Sequence, residues 1–219
     1  KVDSTDDVVI ENPGEGNDTL QLNGFANLYT LNTPNIENLD LTQNTNSYVA
    51  TVQGDTANNV ITARRGDCID GGPGADTMIF RSGSGGYYYY PSYQIDGDTA
   101  YVDNSGDIVR YEDSSSLRRI ISFIDWTLDS TTGILNLAGG SNATTGTGNA
   151  QNNILIGNEK ANTLYGLDGN DTFYGGDGAD TFVGGQGNDT YCIDDGLFYN
   201  SYPYQSADGN WYSYIATPK

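Results

Sequence analysis

The sequence predicts an all-β chain wound as a right-handed parallel β-roll, or β-solenoid, in two tandem modules. Three observations predict it. Five nine-residue units run without a gap from Gly148 to Cys192, a longer repeat frames them, and no stretch carries a sustained helical period.

The five units read GNAQNNILI, GNEKANTLY, GLDGNDTFY, GGDGADTFV and GGQGNDTYC. Each opens on glycine. The sixth position carries Asn153, Asn162, Asp171, Asp180 and Asp189, and the eighth carries Leu155, Leu164, Phe173, Phe182 and Tyr191. The last residues of a unit, such as Thr181-Phe182-Val183, form a very short strand. Side chains alternate along it, so Phe182 points inward and its neighbours outward. The residues before it make the turn. There Gly166, Gly169, Gly176, Gly178, Gly185 and Gly187 allow positive φ and close approach of stacked backbone carbonyls. With two units per coil, each unit stacks on the next but one, which pairs Asp171 with Asp189 and Asn162 with Asp180. A carboxylate facing main-chain carbonyls is an oxygen-only ligand set, suited to a hard cation such as Ca2+.

These units resemble the RTX family, secreted bacterial proteins whose glycine- and aspartate-rich nonapeptides fold as a calcium-filled parallel β-roll. The family pattern G-G-x-G-x-D-x-U-x, with U a large apolar residue, is met in full by 175–183 and 184–192. Unit 166–174 departs only at Leu167, which replaces the second glycine, and units 148–156 and 157–165 carry asparagine at the acidic position. The resemblance implies calcium ligands at Asp171, Asp180 and Asp189, with weaker or empty positions at Asn153 and Asn162.

The longer repeat sets the domain organisation. Tyr29-Thr30-Leu31 reappears as Trp126-Thr127-Leu128, and the run Gly54 to Asn59 reappears as Gly148 to Asn153, at offsets of 97 and 94 residues. The chain reads as one module over 1–100 and a second over 101–219, each an ordinary domain size. Each module places alternating β-type runs first and nonapeptides afterwards. In the first module the nonapeptides are eroded. GDTANNVIT aligns, ARRGDCID has lost one residue, and GGPGADTMI fits, which leaves Asp76 as its best ligand and Asp67 as a second. Arg65-Gly66-Asp67 spells an adhesion tripeptide, but it lies inside the degraded unit, and so short a match carries little weight.

Composition excludes several function classes. Twenty-nine acidic residues stand against 9 basic ones, histidine is absent, and the net charge is −20. Such a chain repels nucleic acid and anionic membranes. No hydrophobic stretch reaches membrane-spanning length, and the amino terminus does not read as a signal peptide. The resemblance implies a one-step bacterial export route and a secreted, extracellular or cell-surface location. Extracellular calcium modules bind with dissociation constants of about 10⁻⁴ to 10⁻³ M, so calcium folds such a segment outside the cell. Cys68 and Cys192 sit at outward-facing positions and read equally as a cross-link or as two surface thiols.

Tyrosine is the least expected feature. Of 17, ten fall in the tracts 87–93 and 199–214, and both tracts follow a calcium segment. They supply Tyr87, Tyr88, Tyr89, Tyr90 and Tyr93, then Tyr199, Tyr202, Tyr204, Trp211, Tyr212 and Tyr214. Three readings fit: a lid over the open end of the solenoid, a joint between copies of the chain, or an aromatic platform for polysaccharide. The carboxy-terminal tract is followed by a sequence that the amino terminus would continue, which suits head-to-tail association.

Catalysis is not expected. Without histidine there is no His-dependent triad or His-ligated zinc, and no nucleophile elbow, phosphate loop or dinucleotide fingerprint occurs. The regularly spaced acids are accounted for as cation ligands. The expected function is therefore an extracellular calcium-binding structural protein, a subunit of a filament, surface layer or adhesive fibre. A carrier and secretion module of a larger exported enzyme and a glycan-binding adhesin are the alternatives.

Overall fold

A computed structural model of the chain describes residues 9–24, 28–31, 33, 35–44, 50–64, 66–81, 97–112, 117–192, 204–205 and 211–212. The chain forms two compact units, divided between Leu117 and Arg118. The division falls later than 100/101 because the strands that follow position 97 still pair with the first unit.

In the first unit the strands are β1 (Thr19–Gln21), β2 (Leu28–Thr30), β3 (Asn38–Asp40), β4 (Thr51–Gln53), β5 (Val60–Arg64), β6 (Cys68–Asp70), β7 (Thr77–Arg81), β8 (Gly97–Val102) and β9 (Ile108–Tyr111). Odd-numbered strands make one parallel sheet and even-numbered strands another, in sequence order. Each pair of consecutive strands is thus one coil of a parallel β-solenoid. Leu20, Leu39, Ile61 and Met78 stack in register as an inward column, with 4% exposure or less. Phe80 and Tyr111 stack two residues further along, with ring centroids 5.2 Å apart.

The second unit repeats the plan with β10 (Leu117–Ser122), β11 (Trp126–Thr127), β12 (Ile134–Leu137), β13 (Thr145–Thr147), β14 (Ile154–Ile156), β15 (Thr163–Asp168), β16 (Thr172–Tyr174), β17 (Thr181–Gln186) and β18 (Thr190–Cys192). Here the nonapeptide period is exact in the register: Leu155 pairs with Phe173 and Phe173 with Tyr191, while Leu164 pairs with Phe182. These partners are two units apart, as two units per coil requires. Leu135, Leu155, Leu164 and Phe173 are fully buried, each such side chain contributing about 1.5–3 kcal/mol. Phe173 stacks on Tyr191 at 5.1 Å and meets Phe182 at 5.7 Å. Opposite them Gly146 leaves room for the Leu135 and Leu164 side chains, 3.1 and 3.0 Å from where its Cβ would lie.

Two further strands, β19 (Tyr204–Gln205) and β20 (Trp211–Tyr212), pair antiparallel, with Tyr204 opposite Tyr212. Of the tyrosine tracts, Tyr87, Tyr88, Tyr89, Tyr90, Tyr93, Tyr199, Tyr202 and Tyr214 lie outside the described residues. Cys68 and Cys192 are half-buried and belong to different units. Among the described residues there is no helix.

Leu167 is the residue that breaks the glycine pattern, and the backbone shows the consequence: its φ is +79°, in the left-handed region. An L-residue with a side chain costs about 1–2 kcal/mol there, against about 0.5–1 kcal/mol of extra chain entropy for glycine. Its side chain is 47% exposed, so little packing would be lost. Leu167→Gly should therefore raise the urea midpoint modestly, by less than about 1.5 kcal/mol in stability. A lower midpoint would mean that the leucine side chain holds the turn in a way its exposure does not suggest.

Candidate metal centre

The coils are held in stack by a ladder at the sixth position of each turn. The Asn153 N–H donates to Asp171 Oδ1 at 2.8 Å, and the Asp171 N–H donates to Asp189 Oδ1 at 3.0 Å. On the other edge the Asn162 N–H donates to Asp180 Oδ1 at 2.8 Å. The two pairings expected from the spacing are thus brought together, each by one backbone donor and one carboxylate. In the first unit the Asn59 N–H donates to Asp76 Oδ1 at 2.7 Å, and the Asp76 N–H to Asp107 Oδ1 at 2.9 Å. A parallel ladder runs through the fifth position, where the Asn170 N–H reaches Asn152 Oδ1 and the Asn188 N–H reaches Asn170 Oδ1.

The side-chain oxygens at the sixth position separate two kinds of turn. In the asparagine turns one oxygen serves the turn itself. Asn59, Asn153 and Asn162 Oδ1 accept from the N–H of Asp55, Asn149 and Asn158 at 3.0, 2.8 and 2.7 Å. Asn153 and Asn162 Nδ2 also donate to Asn149 and Asn158 Oδ1, so these side chains are occupied within their own turns. The aspartate turns differ at their second position, where Gly72, Leu167, Gly176 and Gly185 have positive φ. Asp76 and Asp171 are at most 1% exposed, and Oδ2 of each has no hydrogen-bond partner. A buried carboxylate oxygen left in this state costs several kcal/mol of order unless a cation or proton meets it, about 1–3 kcal/mol for a neutral group and more for a charged one.

Main-chain oxygens surround the same positions. A Cβ placed at Gly176 or Gly178 would strike the carbonyl oxygens of Asn158 or Lys160 in the coil below. At Gly185 and Gly187 it would strike those of Leu167 and Gly169, and at Gly169 that of Gln151. The first-position glycines face the carboxylate instead: Gly166, Gly175 and Gly184 lie against Oδ2 of Asp171, Asp180 and Asp189. Each aspartate turn therefore combines a carboxylate with carbonyl oxygens and excludes side chains from between the coils. Among the described residues no three His, Cys, Asp or Glu side chains converge into a metal-holding group, so a cation here takes much of its shell from the backbone. The oxygen-only set fits a hard cation.

Asp67 is placed differently. It is 1% exposed and holds the buried guanidinium of Arg64, with Nη2 3.2 Å from Oδ1 and Nε 3.2 Å from Oδ2. Its burial also removes the Arg65-Gly66-Asp67 acid from the surface. Sequence reasoning missed Asp107 and Asp98. Asp107 continues the ladder from a turn, 102–107, that lacks the opening glycines, and its Oδ2 accepts from Asp103 and Asn104 N–H groups. Asp98 Oδ1 accepts from the Gly66 N–H at 2.7 Å. The available signal for Asp107 was the local phrase Ser105-Gly106-Asp107, which parallels Gly74-Ala75-Asp76.

Electrostatics follow the stacking. Burial pushes the Asp76 carboxyl up to about 7; Asp107, Asp103 and Asp55 add to the rise, and the Asn59 N–H opposes it. Burial also raises Asp171, with Asp189 adding to it, and raises Asp103, with Asp107 and Asp70 adding. Each of these carboxyls binds its proton more tightly in the folded chain than at the ordinary value of 3.8. The stability so gained is complete below the unfolded value and, for Asp76, is lost as pH rises through about 7. Metal-stripped protein should accordingly unfold at higher urea at pH 5 than at pH 8. A midpoint that rises with pH would contradict the buried-carboxylate geometry.

No curated protein and no solved structure matches the chain. The family of RTX calcium-binding nonapeptide repeats matches four segments, residues 45–78, 53–85, 147–181 and 156–191. The matched segments contain every aspartate turn described above, and they leave out the 102–107 turn. Residues 45–85 in the first unit and 147–191 in the second are RTX repeats, a calcium-binding motif wound here as a parallel β-solenoid.

Proposed function

We propose that the chain is a secreted, extracellular structural protein whose coils are closed by calcium, and that it serves as a subunit of a filament, surface layer or adhesive fibre assembled head to tail. One observation carries the reading: Asp76 and Asp171, which hold one coil on the next through Oδ1, each bury an Oδ2 that has no hydrogen-bond partner. Cation binding and coil stacking are then one interaction, and the regularly spaced acids are structural rather than catalytic.

The residues that would hold calcium are Asp171, Asp180, Asp189 and Asp76, together with turn carbonyls such as those of Leu167, Gly169, Asn158 and Lys160. When bound, calcium supplies the positive charge that offsets the stacked carboxylates of a chain of net charge −20. Asn153 and Asn162 complete their turns by hydrogen bonding and contribute backbone donors to the ladder. Because the ion binds the folded coils, its binding free energy adds to their stability.

An extracellular location agrees with the calcium range in which such motifs operate, about 10⁻⁴ to 10⁻³ M. Among the described residues no helix is long and apolar enough to cross a membrane. The head-to-tail partner is a second copy of the chain, since a solenoid coil stacks by translation and a translated contact need not close. Tyrosine and tryptophan of the two aromatic tracts provide the joint in this reading, each combining large contact area with a hydrogen-bonding tip.

Sedimentation of the purified chain separates the structural reading from its competitors. In millimolar calcium the chain should form large or open-ended species that return to monomer in chelator. A monomer in both conditions, compact in calcium and expanded in chelator, would sink the assembly and favour a carrier module or an adhesin.

A further inference from the structure

At the Asp76 and Asp171 turns a buried carboxylate oxygen has no hydrogen-bond partner, but at the Asp67 turn both oxygens are engaged. Asp67 Oδ1 accepts from the Ala50 N–H at 2.8 Å and from Arg64 Nη2 at 3.2 Å. Its Oδ2 accepts from the Arg64 N–H at 3.1 Å and from Arg64 Nε at 3.2 Å. The same guanidinium reaches back one coil, where Nη1 donates to the Asn44 carbonyl oxygen at 2.8 Å. Arg64 is 6% exposed, so this is an interior cation.

Its ligands are a carboxylate of one turn and a main-chain carbonyl of the turn beneath. That is the same pair of oxygen types that the Asp171 and Asp76 turns present between coils. The guanidinium differs from a metal ion in being planar, permanently charged and covalently attached. A fork of two N–H groups on a carboxylate satisfies both oxygens at once.

We infer that Arg64 is a built-in cation that does at the Asp67 turn what calcium does at the aspartate turns, so that the coil from β3 to β6 closes without calcium. Asp67 then belongs to a latent calcium position that the wild-type chain keeps shut. The first unit thereby keeps a coil that is folded before calcium arrives. Erosion of its nonapeptide, one residue short and with arginine in place of glycine, is the sequence trace of this substitution.

The inference rests on the calcium reading of the aspartate turns, and the test separates the two. Calcium is titrated calorimetrically into the full chain, and urea midpoints are read in chelator, for wild type, Arg64→Met and the double variant Arg64→Met/Asp67→Asn. Wild type that takes up no calcium would refute the calcium reading itself. Given calcium binding in wild type, Arg64→Met should bind one ion more and lose stability in chelator, most of it restored by calcium. An unchanged stoichiometry in folded Arg64→Met overturns the inference. Should Arg64→Met fail to fold, the double variant decides, since it removes both charges together. It should bind as many ions as wild type, and one ion fewer would mean that Asp67 already held calcium.

Discussion

The hydrogen bond between the backbone N–H at the sixth position of one turn and the carboxylate of the turn stacked on it sets the terms for everything else. It adds a turn-side rung to the parallel strand ladders that set the rise between coils, and it places a negative charge inside the stack. The Asn153–Asp171–Asp189 run shows the cost in one line, because the further oxygen of Asp171 is buried without a partner. A protein of this length with short strands has a thin core, and Phe173 with its aromatic neighbours fills only a few coils of it. The charges inside the turns therefore decide whether a coil closes.

Three solutions to that charge appear along one chain. Asparagine turns remove it, and the freed amide caps the turn from within, as at Asn162. The turn at Asp67 neutralises it with an arginine. The aspartate turns at 71–76 and 166–171 retain it, with glycine or a strained leucine opening the backbone so that carbonyl oxygens face the carboxylate. The distribution makes the two units unequal. The second unit carries three consecutive aspartate turns, whereas the matched repeats of the first keep one, at 71–76.

Much of this was legible in the sequence because the solenoid is built from a strict period. A nine-residue repeat with one large apolar residue per unit fixes the strands and the inward column. The pairing of Asp171 with Asp189 follows from counting two units per coil. What could not be read was whatever departs from the period. Asp107 lies in a coil with a long insertion, since Thr77 pairs with Ile108 across 31 positions, and no repeat alignment survives that length. Arg64 was hidden for another reason: a basic residue in a damaged repeat looks like decay until its guanidinium is seen on Asp67 and Asn44. The aspartate turns share a positive φ at the second position that the self-capped asparagine turns lack, and Leu167 shows that this is not a matter of glycine alone.

Amide hydrogen exchange on the full chain, in millimolar calcium and again after metal removal, reads the closure of the coils turn by turn. The ladder amides of Asn153, Asn162 and Asp171 should lose protection without calcium. The Ala50 and Arg64 amides, which donate to the arginine-neutralised Asp67, should keep theirs. Loss of protection at all of these together, or at none, would contradict a stack in which each turn's own charge decides its need for calcium.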